Sequence, residues 1–328
     1  MASVPPVVVI TGASSGIGRA TALLFASKGA SVVLASRREQ ALNEVAGECV
    51  LVGGDVLVVP TDVTDYKAVR RLAKATVKKF GRIDVWINGA GVGAFGSFLD
   101  VPLDDVRRVL DVNVMGYVYG ARAALKVMVE QGEGSIVNIA SLVGEVQQPY
   151  TSAYGMSKAA VRALGVSLRQ ELALDGHRKI HVSTIVPPTI DTPFFRHAAN
   201  YTGREVVAMP PVYPAELVAT AIEKVSRSPK PEVIVGTLGK VFSHEHRRRP
   251  ALVEAQMAVQ TDRLQLSNRH DAEDTTGSLF TPAPTDDAAI VGGYDGARRT
   301  TLRRSIAWTL GAGVAALVAS QLAKNTRR

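Results

Sequence analysis

The sequence has a single cysteine, Cys49, among its 328 residues, so a framework of disulfide bonds is excluded. Such cysteine usage is expected in a reducing compartment. Residues 1–6 contain no basic stretch, and the apolar run that follows is too short for a secretory signal, so we expect no signal peptide. His244 and His246 stand two residues apart, a spacing at which side chains diverge on a helix, and no third ligand is evident nearby. We therefore expect a solvated surface there and no metal site.

Acidic residues are missing from one end of the chain. Residues 297–328 carry seven of the 38 Lys and Arg residues and none of the 30 Asp and Glu residues. Setting those seven aside leaves 31 basic residues against 30 acidic ones, so all but one unit of the formal net charge of +8 belongs to the C-terminal segment. The rest of the chain has no basic patch interleaved with aromatics, and we expect no nucleic-acid partner.

The N-terminal residues have the pattern of a dinucleotide-binding unit. The β-branched run Val7 to Ile10 is typical of a strand buried on both faces of a parallel sheet, and Arg19 to Lys28 has the apolar side of a helix. A glycine-rich turn joins them, and the N–H groups and positive dipole end of the following helix suit a pyrophosphate. An ordinary tight turn is the alternative. The turn consists of Thr11, Gly12, Ala13, Ser14, Ser15, Gly16, Ile17 and Gly18.

A tyrosine and a lysine further along the chain favour proton-transfer chemistry. Tyr154 and Lys158 stand four residues apart, which places both on one face of a helix, and Ser141 precedes Tyr154 by thirteen residues. A neighbouring cation lowers the pKa of a phenol, ordinarily near ~10, toward the range in which it acts as a general acid or base. Alone, the pair could arise by chance, and Ser141 could simply cap the end of the strand predicted at residues 135–140.

Together these motifs resemble the short-chain dehydrogenase/reductase family over roughly residues 5–240. The resemblance implies a doubly wound parallel α/β sheet (Rossmann fold) and hydride transfer between a nicotinamide and a carbonyl or alcohol. Tyr154 would then exchange the proton, Ser141 would hold the substrate oxygen, and Lys158 would lower the phenol pKa and bind the cofactor ribose. Asn113 would hold a water that links Lys158 to solvent; a polar residue in a helix kink is the alternative.

The resemblance also implies further cofactor contacts, with two departures from the family pattern. Gly89 stands where a second Asn is usual, and Pro188 replaces a glycine beside the nicotinamide. Because proline lacks an N–H and fixes φ near ~−65°, we expect a different loop path on the substrate side. The implied contacts are Asp62 and Val63 after the third strand, Asn88, Gly89, Ala90 and Gly91 after the fourth, and Pro187, Ile190 and Thr192.

The end of the second predicted strand indicates which nicotinamide binds. In Rossmann proteins an acidic residue there bonds the ribose of NAD, whereas arginine accommodates the 2′-phosphate of NADP. Here Ser31 to Ala35 is followed by Ser36, Arg37 and Arg38, and no carboxylate occurs before Glu39. Two guanidinium groups can grip a phosphate through charge-assisted hydrogen bonds. We predict NADP (NADPH) rather than NAD; a solvated basic turn is the alternative.

The loops expected around the substrate are mostly apolar or aromatic. They include residues 93–95, 143–144 and 147–150, and a lid at residues 194–209 that begins with Phe194 and Phe195. We predict a hydrophobic carbonyl or secondary alcohol as substrate. The alternative is that the two phenylalanines only pack the lid onto the core.

The chain divides into four predicted parts. Residues 1–245 form the catalytic domain, 246–266 a helical extension, 267–300 a flexible linker rich in Asp, Thr, Gly and Pro, and 301–328 a basic-flanked apolar helix. Within the last part, Ile306 to Ala323 has eighteen residues without a formal charge, about 27 Å of helix against a hydrocarbon core of ~30 Å. We predict a membrane anchor that leaves the catalytic domain cytoplasmic; a soluble helix packed on protein is the alternative.

Three functions remain open from the sequence. They are an NADP(H)-dependent oxidoreductase, an NAD-linked alcohol dehydrogenase of the same family, and a catalytically silent NADPH-binding scaffold or sensor, which Pro188 motivates. The intact set of Ser141, Tyr154 and Lys158 favours an enzyme. The family resemblance also implies a homo-oligomer paired through the helices that contain Asn113 and Tyr154.

Overall fold

The chain folds around a parallel sheet of seven strands in the computed structural model, which describes residues 5–284 and 288–294. Four further strands form two small sheets, in which β5 pairs with β8 and β9 with β11. In chain order the strands of the described residues are β1 (Val7–Thr11), β2 (Ser31–Ala35), β3 (Asp55–Val58), β4 (Val85–Asn88), β5 (Ala94–Gly96), β6 (Gly134–Ile139), β7 (Ile180–Val186), β8 (Ala199–Tyr201), β9 (Arg204–Val206), β10 (Glu232–Ile234) and β11 (Leu266–Asp271). The helices are α1 (Gly16–Ser27), α2 (Glu39–Leu51), α3 (Tyr66–Phe80), α4 (Leu103–Leu110), α5 (Gly116–Gln131), α6 (Ser152–Leu174), α7 (Phe194–His197), α8 (Ala215–Arg227), α9 (Thr237–Arg248) and α10 (Pro250–Gln260).

The strand order of the large sheet is β10-β7-β6-β4-β1-β2-β3, and all of its pairings are parallel. From β1 the chain proceeds outward through β2 to β3 on one side of the sheet, and from β4 it proceeds outward through β6 and β7 to β10 on the other. The strand order therefore reverses between β1 and β4. A doubly wound sheet binds its ligand in the crevice at this switch point, beyond the carboxyl ends of the strands. The predicted fold class is confirmed.

Alternate residues of the buried strands face opposite sides of the sheet and join two separate cores. Val7 and Val9 pack in the apolar cluster that includes Leu72 of α3 and Met128 of α5. Val8 and Ile10 belong to the cluster that includes residues of α1 and α8. Because both faces are covered, β1 is buried along its whole length, which explains its unbroken β-branched sequence.

A π-helical turn, Asp111–Met115, joins α4 to α5 without a break in the helix. Such widened turns occur frequently at functional sites. This one carries Asn113, which is fully buried.

The C-terminal part of the described chain packs on the domain. Within residues 246–266, for which a helical extension is predicted, lie the end of α9, α10 and a π-helical turn at Thr261–Gln265. Within residues 267–284 and 288–294, for which a linker is predicted, β11 pairs antiparallel with β9, Thr275 bridges to Asn200, and Leu279 is fully buried. Basic side chains of the domain also donate hydrogen bonds to backbone carbonyls of these residues.

The predicted membrane anchor, Ile306–Ala323, lies outside the described residues. Within residues 5–284 and 288–294, every helix is too short or too polar to cross a bilayer.

Candidate active site

Three predicted catalytic residues meet at the carboxyl end of β6. Ser141 follows this strand and begins a short 3-10 turn, where its hydroxyl accepts a hydrogen bond from Val143 N at 3.3 Å. Tyr154 lies in the first turn of α6, and its side chain hydrogen-bonds that of Ser141. Lys158 lies one turn further along the same helix face. The sheet edge and the helix therefore bring together a hydroxyl, a phenol and an ammonium group.

Lys158 is almost fully buried, with 3% of its surface exposed. Its Nζ donates to the carbonyl oxygen of Ile139 at 2.8 Å and to the hydroxyl of Tyr117 at 3.3 Å, and Tyr117 itself donates to the Ile139 oxygen at 3.0 Å. Burial lowers the pKa of Lys158 to about 7. The ammonium is thus held by the end of β6 and by α5, at a position where small changes alter its charge near neutral pH.

The pKa of Tyr154 shifts in the direction opposite to the predicted one. Burial raises it to about 12, and the hydrogen bond with Ser141 offsets this only in part. The Lys158 nitrogen is 5.6 Å from the centre of the phenol ring and is directed to Ile139 and Tyr117. Because the cation does not bond the phenol oxygen, loss of solvent is the larger effect. In this state Tyr154 is a protonated acid at neutral pH.

The Asn113 side chain joins two segments that border the site. Its Oδ1 accepts from Val92 N at 2.9 Å, and its Nδ2 donates to Val92 O and Ser157 Oγ, also at 2.9 Å. A Cβ built on Gly91 would lie 3.6 Å from both Asn113 Oδ1 and Lys158 Nζ, so these groups flank one narrow space. The amide thereby fixes the loop after β4 against α6.

The glycine-rich turn packs closely on the loop after β4. Thr11 Oγ1 donates to Ile87 O at 3.2 Å and accepts from Gly89 N at 3.0 Å, so its hydroxyl links two strand ends. Gly12 has a φ of +73°, and a Cβ there would lie 2.8 Å from the backbone of Ala90. A Cβ on Gly89 would lie 2.8 Å from the Thr11 carbonyl oxygen. The glycine that departs from the family pattern therefore allows this close approach.

Asn88 lies beneath the site, with 1% of its surface exposed. It donates to Asn138 Oδ1 at 2.9 Å and accepts from the Trp86 indole at 2.8 Å. These bonds connect β4 with β6 and support the loop of residues 89–91 from below.

The predicted phosphate-binding arginines lie where β2 ends. Arg38 donates to the hydroxyls of Ser14 and Ser15 at 3.1 and 3.0 Å, so its guanidinium reaches over the glycine-rich turn. Its backbone N–H is bonded to Ser36 Oγ at 3.2 Å. Burial lowers the pKa of Arg37, and this effect exceeds the opposing one of the Asp62 charge. Backbone carbonyls from residues 278–284 accept hydrogen bonds from both guanidinium groups.

The predicted adenine contact, Asp62, is paired inside the protein. It accepts from Thr64 N at 2.9 Å and from Arg108 at 3.2 Å. Burial alone would raise its pKa, but the bonds from Thr64 and the Arg108 charge outweigh burial and hold the pKa below its usual value. Val63 beside it is buried in the apolar cluster. Sequence reasoning missed Arg108, which comes from α4 and has no spacing relationship to Arg37.

The residues expected beside the nicotinamide line the loop after β7. The Pro187 carbonyl accepts from Leu142 N at 2.8 Å, Ile190 is buried and bridges to Tyr213, and Ile17 packs against the same core cluster. A Cβ on Gly16 would lie 3.0 Å from the Thr192 methyl carbon, so this loop faces the start of α1.

Aromatic side chains cover Tyr154 on the lid side. The Phe194 ring is centred 5.2 Å from the Tyr154 ring, and Phe195 contacts both Phe194, at 5.5 Å, and Phe95, at 6.4 Å. The lid is held by the pairing of β8 with β5 and of β9 with β11. The phenylalanines thus pack the lid and also form an apolar wall at the phenol.

His246 Nε2 lies 3.4 Å from Glu254 Oε1 on the outer surface of α9 and α10. Among residues 5–284 and 288–294, no three His, Cys, Asp or Glu side chains cluster in a way that could hold a metal ion.

Comparisons with known proteins define the class. A family model described as short chain dehydrogenase matches residues 6–201. The uncharacterized oxidoreductase YxnA of Bacillus subtilis (strain 168) is 39% identical over 239 residues, which are 72% of this chain and 67% of that protein. An uncharacterized oxidoreductase of Staphylococcus aureus (strain USA300) is 41% identical over 186 residues, 57% of this chain and 78% of that protein.

Two solved structures share the fold. A short-chain dehydrogenase/reductase from Burkholderia phymatum, in complex with NAD, has a TM-score of 0.70 at 29% identity and covers 76% of this chain and 95% of its own. A short-chain dehydrogenase from Streptomyces avermitilis has a TM-score of 0.66 at 26% identity, with the same coverage of 76% and 95%. The chain belongs to the short-chain dehydrogenase family. It is an oxidoreductase of a class that acts on CH–OH or C=O groups with a nicotinamide cofactor.

Proposed function

We propose that the chain is an NADP(H)-dependent oxidoreductase that transfers a hydride between the nicotinamide and a hydrophobic carbonyl or secondary alcohol, with Tyr154 as general acid or base. The observation that carries this proposal is the hydrogen-bonded pair of Ser141 and Tyr154 with buried Lys158 one helical turn away. These three groups lie at the carboxyl end of β6, one strand away from the switch point between β1 and β4 where this fold binds its ligands.

The protein groups have distinct parts in the proposed reduction. A nicotinamide, when bound, would supply the hydride that the carbonyl carbon accepts. Tyr154, protonated because burial raises its pKa to about 12, gives its proton to the carbonyl oxygen. The Ser141 hydroxyl donates a hydrogen bond to the same oxygen and stabilises its developing negative charge. The charged form of Lys158 would stabilise the resulting phenolate until it is reprotonated.

The preference for NADP rests on the charges at the end of β2. A third basic residue, Arg108, lies close to Arg37 and Arg38 at this strand end. The nearby carboxylate of Asp62 forms an ion pair with Arg108. The arginines could therefore donate hydrogen bonds to the dianionic 2′-phosphate of NADP. The ribose 2′-hydroxyl of NAD would need a carboxylate acceptor, and the carboxylate among these four residues is already paired. NAD remains the alternative, since the Burkholderia phymatum structure is described as a complex with NAD.

The aromatic wall formed by Phe194 and Phe195 supports a hydrophobic substrate. A test follows NADPH and NADH oxidation in the presence of apolar ketones, aldehydes and quinones, with Tyr154→Phe as the inactive control. Turnover that is lost in Tyr154→Phe supports the proposal. Binding of NADPH without turnover of any panel member would favour the alternative of a silent scaffold.

A second experiment tests the cofactor preference. Arg37→Ser should lower the affinity for NADPH relative to that for NADH about tenfold or more, because a hydrogen bond to a charged group contributes about 1.5–3 kcal/mol. The ratio of the two affinities is the readout, since Arg37 also donates to backbone carbonyls of residues 278–280 and its loss could change the binding of both cofactors alike. An equal change for both cofactors would contradict a 2′-phosphate site.

Two further parts of the proposal rest on the sequence. A homo-oligomer would pair α5 and α6, on which Val129, Met156 and Val166 are among the exposed apolar side chains. Membrane association would use Ile306–Ala323 and leave the catalytic domain in the cytosol. Analytical sedimentation would measure the oligomeric state. Flotation of the full chain with anionic lipid vesicles, compared with a chain that ends before Ile306, would measure membrane association.

A further inference from the structure

Residues 278–284 and 288–294, which we call the cleft segment, lie on the groups that are proposed to bind the dinucleotide. Three successive portions of the segment meet three different parts of the cleft. At each portion, backbone atoms of the segment satisfy donors or acceptors of the site.

The phosphate end of the cleft is bonded to residues 288–289. Gly16 N, in the first turn of α1, donates to the carbonyl oxygen of Ala289 at 3.0 Å. Arg19, one turn later, donates to the Ala288 carbonyl at 2.7 Å. The N–H groups at this helix end are those that hold a pyrophosphate in the Rossmann fold. A peptide carbonyl thus occupies a donor that the phosphate would need.

The adenosine end of the cleft is bonded to residues 278–280. Arg37 donates to the carbonyl oxygens of Ser278, Leu279 and Phe280 at 2.6, 3.2 and 2.9 Å. Arg108 donates to the same Leu279 oxygen at 2.9 Å. The Leu279 side chain is fully buried in the cluster that contains Val63 and Val112. The segment therefore places an apolar side chain beside the predicted adenine contact and carbonyl oxygens on the predicted phosphate ligand.

The nicotinamide end is bonded to residues 292–294. Asp191 Oδ1 accepts from Gly292 N at 2.8 Å and from Tyr294 N at 3.1 Å, and Arg196 donates to the Gly292 carbonyl at 2.7 Å. The Tyr294 ring meets Phe195 edge-on at 5.7 Å. A Cβ on Gly292 would lie 2.3 Å from the Thr192 carbonyl oxygen, so only glycine allows this approach.

We propose that the cleft segment is a built-in competitor of the dinucleotide, which must leave the cleft before the cofactor binds. The inference rests on the proposed nicotinamide function. Gly16 N–H cannot serve a pyrophosphate while it donates to Ala289, and Arg37 cannot face a 2′-phosphate while three carbonyls surround it. The two occupants are mutually exclusive at both positions. The fraction of molecules with the segment released then scales the apparent affinity for the cofactor.

The test is a titration of the full chain with NADPH, followed by cofactor fluorescence or calorimetry rather than by turnover. Gly292→Ala adds a methyl group that collides with the Thr192 carbonyl, so it should displace the segment, and it substitutes no proposed cofactor ligand. The expected result is a Kd lower than that of the wild type by about tenfold, corresponding to a segment that occupies the cleft in about nine molecules of ten. Val291→Ala is the matched control, because Val291 is 52% exposed and should leave the Kd unchanged.

Leu279→Asn is the second variant, because it removes the buried apolar anchor at the other end of the segment. Leu279→Asn should also lower the Kd for NADPH, and it replaces Gly292→Ala as the test if that variant does not fold. An unchanged or higher Kd in folded variants would overturn the proposal, and a higher Kd would mean that the segment closes over the bound cofactor. If neither wild type nor variants bind NADPH or NADH, the proposed function itself fails, and with it this inference.

Hydrogen exchange gives an independent readout on the wild type. Under competition, saturating NADPH reduces protection of the backbone amides at residues 278–284 and 288–294 while it increases protection of the glycine-rich turn. Unchanged or increased protection of the segment at saturating cofactor would contradict competition.

Discussion

The hydroxyl of Tyr117 accepts a hydrogen bond from Lys158 at 3.3 Å, and both side chains are almost fully buried. Tyr117 stands four residues after Asn113, so the two face the same side of their helix and approach the site together. That spacing is a signal from which the sequence could have identified Tyr117. Its hydroxyl, together with the Ile139 carbonyl, accepts from the ammonium group and so fixes its position.

Tyr117→Phe removes this acceptor and keeps the ring. Because the charged form of Lys158 loses a partner, its pKa should fall further below about 7. We expect the loss of kcat/KM that accompanies deprotonation of Lys158 to begin at a pH lower by about 1 unit or more, since a hydrogen bond to a charged group contributes about 1.5–3 kcal/mol and one pKa unit corresponds to about 1.4 kcal/mol. Tyr119→Phe, on the same helix but packed against Tyr66, is the control. Superimposable pH profiles would contradict a positioning role.

Burial of Lys158 also predicts a pH dependence of stability. The ordinary lysine pKa of 10.5 falls to about 7 in the folded chain. Between these values the unfolded state binds the proton and the folded state does not, so the free energy of unfolding should rise with pH. The slope is at most about 1.4 kcal/mol per pH unit for one proton. Below about pH 7 both states are protonated and the slope from this group ends.

The measurement is denaturant unfolding at several pH values, in wild type and in Lys158→Met. The methionine variant lacks the titrating group and should show a flatter dependence over this window. Lys126→Met is a matched control that should retain the wild-type slope, because Lys126 lies in α5 and is exposed. Equal slopes in Lys158→Met and wild type would show that Lys158 keeps its proton in the folded chain.

A third prediction concerns the anchor of α9. Glu145 is 7% exposed in its side chain and pairs with Arg162 at 3.2 Å and Arg247 at 2.8 Å, while Ser243 donates to it at 2.6 Å. Burial tends to raise its pKa, but Ser243 and the two arginines outweigh burial and lower it. Glu145→Gln should cost about 2 kcal/mol of unfolding free energy, less than a fully buried pair because Arg247 is exposed.

The contribution of Glu145 should depend on pH in a defined direction. The pKa of Glu145 is lower in the folded chain than in the unfolded chain. Its stabilising contribution is therefore fully present at a pH above the pKa of the unfolded chain, and it is lost as the pH falls through the pKa of the folded chain. The difference between wild type and Glu145→Gln should therefore be full at neutral pH and shrink below about pH 4. Glu133→Gln, in an exposed pair with Arg82, should cost less than about 0.5 kcal/mol. A difference that persists unchanged in acid would exclude the carboxylate as its source.

The regular elements could be predicted from local pattern. The strand expected at Ser31–Ala35 is β2 with the same bounds, because an unbroken apolar run has one way to be buried in a parallel sheet. The first helix begins at Gly16 rather than Arg19, since the glycine turn already supplies its first residues. Such features depend on neighbours in the chain, which the sequence displays directly.

The cleft segment could not be predicted in the same way. It is held mainly by its own backbone carbonyls, which every sequence possesses, and its donors lie far away in the chain: Arg37 and Ser278 are 241 residues apart. Composition therefore indicated a linker. The direction of the Tyr154 pKa shift could not be predicted for a related reason. Helix spacing places Lys158 near the phenol, but it does not show that Ile139 and Tyr117 accept the hydrogen bonds of Lys158.

The last prediction decides whether Phe194 acts on the chemistry or only packs the lid. Its ring lies 5.2 Å from that of Tyr154, whose pKa burial raises to about 12. Phe194→Ala admits water to the phenol, so the pKa should fall toward its ordinary value and more phenolate should form at about pH 10.5. Ultraviolet titration, with the Tyr154→Phe spectrum subtracted, measures this directly. For apolar substrates kcat/KM should fall about tenfold or more, as expected for the loss of a partly buried phenyl group. Phe98→Ala, 75% exposed, should change neither quantity. An unchanged phenol titration together with unchanged kinetics in Phe194→Ala would assign the ring to lid packing alone.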